Sequence, residues 1–398
     1  MHETCDQSLP VEAISHGATA HLGIIGGGQL AKMTAMAAQQ LGCEVSVLER
    51  NPFSPAARLA PRSVVGDWAD RDILARFAAG ADVITLENEF VDAEVLRALE
   101  KAGHLVFPSA DCIARVQDKL VQKQTLAAAG LTVPAFRAVR SPDEVLAAAR
   151  ELGWPLVLKL RRNGYDGKGN ATLRSVADVE REWLRLGGAR TPLFVEAFWT
   201  YQKELAVIVT RGRGGETAVY PVVETVQQNH ICHAVYAPAP VAPVVAAAAA
   251  DLARRAVDAV GGVGSFGVEL FMSDNGTLAI NELAPRVHNS GHYTLEACEC
   301  SQFENHVRAV LGWPLGRTQM TSPAAVMINV LGAIDGAGCP KDLGRALAVA
   351  GARVHLYGKA MSQPGRKMGH VTACGATHEE ALAIAGQAAG LIEFGGKL

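Results

Sequence analysis

Short apolar runs alternate with stretches of helical period along the first third of the chain. His21–Ile25 reads as a strand, Gly26-Gly27-Gly28 as a turn, Gln29–Leu41 as a helix and Glu44–Leu48 as a second strand. Asp82–Leu86 is a further strand, ending in Glu87-Asn88-Glu89; Asp92–Lys101 looks helical and His104–Pro108 closes the unit. That alternation predicts a Rossmann-like parallel sheet. Asp111–Ala129 reads as one linker helix stopped by Gly130, carrying Arg115 and Lys119 one turn apart. Beyond it the pattern changes to strands at Pro155–Leu160, Leu193–Trp199 and Lys203–Ile208, an alanine-rich helix at Val244–Val260, then strands at Phe266–Ser273 and Leu278–Leu283. The remainder holds strand-like runs at Ala325–Leu331, Arg353–Tyr357 and His370–Ala373.

A chain of 398 residues exceeds the size at which one core keeps growing, so several domains are expected. A net charge of -3 disfavours an electrostatically driven nucleic-acid or membrane binder. Any phosphate recognition must then be local. The eight cysteines form no CxxC pattern and are expected to pack in a reduced, cytoplasmic setting, with Cys298 and Cys300 not metal ligands. Residues 1–20 lack the basic and apolar regions of a signal peptide and are expected to be a flexible tail. The longest apolar tract, Val241–Ala250, is too short to span a bilayer, so a soluble protein is expected.

Three stretches suggest chemistry. Asn163-Gly164-Tyr165-Asp166-Gly167-Lys168-Gly169-Asn170 follows an apolar strand bearing Lys159. Its backbone N–H groups could cover a phosphate, unless it is only a solvated glycine hairpin. Gly26-x-Gly28-x-x-Ala31, with Glu49 about twenty residues on, is formally a dinucleotide fingerprint, although the same turn serves other ligands. In the third stretch Asn275-Gly276 predicts a two-residue hairpin turn, which sets Asp274 against Thr277 and Glu269 against Glu282. Opposed carboxylates repel, and a divalent cation is the natural compensation. Asn281 falls on the other face in that register. Phe198 and Trp199 could line a purine slot or simply pack, and Glu204 could accept from ribose hydroxyls. The polar loop Ala284–His292 suggests anion binding beside the acids, while the basic loop Gly358–Lys367 is either that or solvated surface.

Together, Gly26-Gly27-Gly28-Gln29-Leu30, Gly164–Gly169, Asn281–His292 and Tyr357–His370 resemble the ATP-grasp superfamily and, within it, the 5-(carboxyamino)imidazole ribonucleotide synthase family of purine biosynthesis. The resemblance runs from His21 to the C-terminus; the glycine flap marks only the superfamily, the Pro-Arg-x-His-Asn-Ser-Gly-His loop and the basic hairpin the synthase. It implies an α/β (α+β) ATP-grasp architecture: a pre-ATP-grasp domain over 21–110, an ATP-grasp domain over 111–317 with a flap subdomain near 134–200, and a β-rich C-terminal domain over 318–398.

The implied reaction is ATP-dependent carboxylation of 5-aminoimidazole ribonucleotide by bicarbonate, in a typical homodimer without nucleic-acid or membrane partners. The resemblance assigns ATP to Arg115, Lys159, Gly164, Tyr165, Asp166, Gly167, Lys168, Gly169, Asn170, Glu196, Ala197, Phe198, Trp199, Glu204, Gln227, Asn281 and Glu282. Mg²⁺, or Mn²⁺ in its place, would sit on Glu269 and Glu282. The aminoimidazole ribonucleotide falls to Gln29, Glu87, Tyr165, Asp166, Lys359, Arg366 and Lys367, and Arg286, His288 and Asn289 to bicarbonate and the transferred phosphoryl group. Asp166, Tyr165, Lys359, Arg286 and His288 are the catalytic candidates. Gln227 and Asn88 depart from the family's usual histidine and aromatic. A biotin carboxylase-like or formate-using ligase, a nicotinamide-dependent oxidoreductase and a non-catalytic nucleotide-binding regulator remain as alternatives.

Overall fold

The computed structural model describes residues 19–164 and 169–395, so residues 1–18 of the expected tail and Tyr165, Asp166, Gly167 and Lys168 of the flap lie outside the described residues. Strands β1 (His21–Ile25), β2 (Glu44–Glu49), β3 (Val64–Val65), β4 (Val83–Leu86) and β5 (Leu105–Val106) form a parallel sheet in the order β3-β2-β1-β4-β5. Both β1 and β4 are buried along their whole length, as continuous apolar runs in a covered parallel sheet should be. The strand order reverses between β1 and β4, which brings the Gly26–Gly28 turn and Glu87 together at the carboxyl edge.

Helices α1 (Gln29–Gln40), α2 (Arg71–Ala78) and α3 (Ala93–Lys101) belong to this unit. The single linker helix expected over Asp111–Ala129 is instead two, α4 (Ala110–Val116) and α5 (Lys119–Ala128). Asp118 is extended, with φ -100° and ψ 108°, and its carboxylate accepts from the N–H groups of Leu120 and Val121, capping α5. An aspartate does this because its short side chain satisfies the N–H groups a helix start leaves orphaned.

Four antiparallel strands come next: β6 (Phe136–Val139), β7 (Leu156–Leu160), β8 (Asn170–Leu173) and β9 (Leu193–Ala197), in the order β6-β9-β7-β8. Their inner residues Leu156, Leu158 and Val195 pack against Val145 of α6 (Pro142–Leu152) and Trp183 of α7 (Val176–Arg185). The strand expected to reach Trp199 stops at Ala197, leaving Phe198 and Trp199 in the connection to the next sheet.

The largest sheet starts with β10 (Lys203–Arg211), β11 (Thr217–Val219), β12 (Val223–Gln228) and β13 (Ile231–Ala237). After helix α8 (Pro243–Val260) it continues with β14 (Gly264–Met272), β15 (Leu278–Ala284) and β16 (Ala324–Leu331). It does not end where the C-terminal region begins. β13 pairs antiparallel with β16, which pairs with Lys367–Gly375 and through it with Arg353–Leu356. The C-terminal strands therefore extend the same sheet. One face of it is covered by α8, whose Ala249, Ala253 and Ala256 lie flat against Val207 and Val268.

The β14–β15 hairpin corrects one expectation and preserves its consequence. Ser273 donates to Thr277 O and Gly276 donates to Ser273 O, so three residues, Asp274 to Gly276, make the loop, with Gly276 at φ +80°. Leu270 then faces Ile280, a register that alone would set Glu269 against Asn281. A bulge between Glu269 and Leu270 absorbs the extra residue and returns Glu269 to Glu282.

Candidate active site

A cavity of about 840 Å³ opens between the antiparallel sheets, walled on one side by the first sheet's edge and on the other by Lys359 and Gln363–Lys367. Its floor carries Glu269 and Glu282. Lys119 pairs with Glu282, and Asn281 Nδ2 donates to Glu269 Oε2 at 3.3 Å. Asn281 thus faces the acids, contrary to expectation, because the bulge turns it inward. Burial and the neighbouring Glu282 charge push Glu269 above the ordinary carboxyl range. Burial acts on Glu282 in the same sense, but Lys119, with Lys159 and His288 adding to it, outweighs burial and holds that carboxyl low. Of the two acids, Glu282 is paired with a lysine and Glu269, among the described residues, is not.

Behind this floor Lys159 Nζ lies 2.8 Å from Glu196 and 3.3 Å from Asn281 Oδ1, which it donates to. Lys123 reaches the same Glu196 at 3.0 Å and is pushed down to about 8, chiefly by burial. Two lysines sharing one carboxylate leave a net positive wall, suited to a polyphosphate. Glu196 is 2 % exposed and committed to that pair, while Ala197, Phe198 and Trp199 continue along the cavity. At this end Tyr201 stacks on Phe271 with centroids 4.6 Å apart and donates to Glu204 at 2.8 Å. A flat apolar slot with an acid at its rim suits a nucleoside. Gly164, Asn170 and Gln227 also line the cavity, and Gly169 is buried behind them.

At the far end Arg286 Nε donates to Glu89 Oε2 at 2.7 Å, tying the anion loop to the first sheet. His288 Nδ1 accepts from Ser290 N at 3.4 Å, which assigns the hydrogen to Nε2, 3.5 Å from Glu269. Burial, and then Arg286, push His288 down to about 3, which favours the neutral imidazole. Asn289 and Asn329 exchange amide bonds of 2.9 and 2.7 Å. Across the gap Lys359 donates to Lys367 O and Arg366 to Met361 O, bonds that hold the basic hairpin in shape.

The formal dinucleotide turn is already full. Gly27 N donates to Glu49 and Gly28 N to Glu87, at 2.8 and 2.6 Å, and Leu30 N also reaches Glu87 at 3.3 Å. A Cβ on Gly28 would stand 2.1 Å from Glu87 Oε1. These glycines make room for the protein's own carboxylate at the helix start, where a pyrophosphate would need to sit. The nicotinamide reading fails on this geometry. Glu87 therefore caps α1, and the acid of this edge that lines the cavity is Glu89, with Gln29 beside it.

Arg115 is a second correction. It donates to Val260 O at the end of α8 and does not line the cavity. The break at Asp118 rotates α5 away from α4, so Lys119, not Arg115, delivers its charge to Glu282. A buried aspartate cap inside the helical run was the available signal. For Lys123 and Glu89 the sequence offered none beyond charge.

Comparison with known proteins agrees. The chain is 44% identical over 363 residues to the N5-carboxyaminoimidazole ribonucleotide synthase of Synechococcus elongatus, covering 91% of each chain. It belongs to the N5-carboxyaminoimidazole ribonucleotide synthase family. The Mycobacterium tuberculosis synthase is 43% identical over 88% of this chain and 83% of its own. Among solved synthases, the Aspergillus clavatus complex with ADP and 5-aminoimidazole ribonucleotide superposes with a TM-score of 0.86 at 34% identity, covering 94% of this chain and 98% of that one. Family models match a ribonucleotide synthetase preATP-grasp domain at 19–117, an ATP-grasp domain at 124–303 and a phosphoribosylaminoimidazole carboxylase C-terminal domain at 325–384. As an ATP-grasp ligase fold it carries, among the described residues, no helix long and apolar enough to cross a membrane. The described cysteines, Cys298 and Cys300 among them, are free thiols.

Proposed function

We infer that the chain carboxylates the exocyclic amine of 5-aminoimidazole ribonucleotide with ATP and bicarbonate, giving 5-(carboxyamino)imidazole ribonucleotide, ADP and phosphate. The observation that carries the reading is the Glu269–Glu282 pair facing a cavity with Lys119 and Lys159 on one wall and the Lys359–Lys367 hairpin on another. Mg²⁺ fits that pair: two carboxylates would supply oxygen ligands once the proton favoured on Glu269 is displaced, with the remaining positions left for water and phosphate oxygens. When bound it would neutralise phosphate charge.

The residues divide the work. Adenine is assigned to the Phe198–Tyr201 slot, ribose to Glu204, and the polyphosphate to Lys119, Lys159 and the backbone of the flap from Gly164 to Asn170. A bicarbonate oxygen attacks the γ-phosphorus and ADP leaves, which forms carboxyphosphate; Arg286, His288 Nε2–H and Asn289 supply donors to that anion. The amine then attacks the carboxyl carbon, phosphate departs, and the amine proton passes to Asp166, with Tyr165 and Lys168 beside it on the flap. Lys359, Arg366 and Lys367 hold the ribonucleotide phosphate and polarise the carboxyl group. Closure over carboxyphosphate protects it from water. A homodimer is the assembly this family resemblance favours.

The test is ADP release measured with and without bicarbonate and 5-aminoimidazole ribonucleotide. Release that needs both supports the reading; release stimulated by biotin or formate instead overturns it. Asp166→Asn is expected to lose coupled turnover, and unchanged turnover would remove that residue from the proton step.

A further inference from the structure

Behind the anion loop lies an amide that none of the proposed chemistry uses. Gln302, fully buried at the start of the helix Gln302–Leu311, grips His288 by its backbone from both sides: Oε1 accepts from His288 N at 2.9 Å and Nε2 donates to His288 O at 2.7 Å. The amide's own position is fixed in turn. His292 Nδ1 stands 3.2 Å from Nε2, and Gln302 N donates to Thr294 Oγ1 at 3.0 Å. Thr294 Oγ1 itself donates to Gly291 O at 2.6 Å, closing the ring back onto the loop. Gly291 leaves the space the amide occupies, since a Cβ there would stand 2.6 Å from Gln302 Oε1.

We propose that Gln302, braced by His292, is a positioning residue for the carboxylation: it fixes the backbone of His288 so that Nε2 points at Glu269 on the cavity floor. The inference rests on the function proposed above. With both the N–H and the C=O of His288 held, neither of the two peptide units flanking it can rotate without breaking a buried hydrogen bond, and each buried group left unpaired is unfavourable. The imidazole is thereby held where charge develops, without rearrangement during the reaction. The Gln302 side-chain amide bonds to His288 and His292, and Gln302 is not among the residues that line the cavity.

The test uses the full-length protein and two readouts, steady-state ADP release and a double-mutant cycle. Gln302→Met keeps the volume and removes both bonds to His288; kcat is expected to fall at least tenfold with the KM for ATP within twofold of wild type. In a His288→Ala background the same substitution is expected to cost less than twofold further, because its effect passes through His288. A general structural role would instead multiply the two losses, and that result overturns the proposal, as does a wild-type kcat in Gln302→Met. If Gln302→Met does not melt cooperatively, Gly291→Ala, whose Cβ would press on the same amide and on Ile208 Cγ1, must give the same split between kcat and KM in a variant that melts cooperatively. Wild-type protein that releases no ADP in response to bicarbonate and 5-aminoimidazole ribonucleotide would sink the function itself, an outcome separate from the behaviour of the variants.

Discussion

Glu49 and Glu87 stand at the carboxyl edge of the parallel sheet and spend their oxygens on the backbone of the Gly27–Leu30 turn; Glu269 and Glu282 stand opposed on a hairpin and meet only side chains. Both pairs adjoin a glycine-bearing turn, and the first looks more like a ligand motif in sequence. The difference is whether the protein consumes the polar groups itself. Three orphan N–H groups at a helix start are satisfied by the first pair, which leaves nothing to recruit a ligand. In the second pair one acid has Lys119, while burial and the charge of its neighbour drive the other to hold a proton, which a bound cation can displace.

The sharpest way to break this comparison is Glu282→Gln, which removes a charge from the floor of the cavity. ADP release should fall by about 10²–10³ in kcat, the range for losing a group aimed at developing charge; a loss under threefold would put the chemistry elsewhere. Next comes the pair of cations. Lys119→Met should raise the KM for ATP about tenfold to a hundredfold, as losing a charge-assisted contact does, whereas Arg115→Met should leave it within twofold. Equal effects would return Arg115 to the site.

Glu87→Ala should act on folding, since it strands the N–H groups of Gly28 and Leu30, and denaturant titration should show a loss of about 1–3 kcal/mol. A tenfold rise in the KM for 5-aminoimidazole ribonucleotide at unchanged stability would mean that Glu87 serves the substrate after all. The smallest effect is the pH dependence. Glu269 keeps a proton in the folded state that the unfolded chain releases, so its contribution to stability falls as pH rises above 4.5 towards its raised range. Glu282 has the opposite sign: its contribution is present above 4.5 and lost as pH falls through its lowered range. Melting curves of wild type minus Glu269→Gln should show the first slope, and saturating Mg²⁺ with ADP should flatten it.

Gln227 and Asn88 are departures that the fold absorbs without losing the cavity. Gln227 sits at the bulge between β12 and β13 and still lines the wall. Asn88 accepts from Phe90 N at 3.0 Å, shaping the turn that carries Glu89 to Arg286.

Local composition was enough to fix the parallel sheet, the acidic hairpin and the basic loops. Each depends on contacts within a few residues: alternation along a strand, glycine where the backbone turns, asparagine and glycine at a hairpin. Tertiary structure decided what those signals were for. The pairing of Glu269 with Glu282 required a bulge that compensates a loop one residue longer than the simplest hairpin, and no local rule specifies both. Lys119 and Glu89 join the cavity, with Lys123 behind it on Glu196, only because separate sheets converge there, and Glu87 leaves it because a helix start takes its oxygens first. Whether a charge remains for a ligand depends on every group that surrounds it in space, and most of those neighbours are remote along the chain.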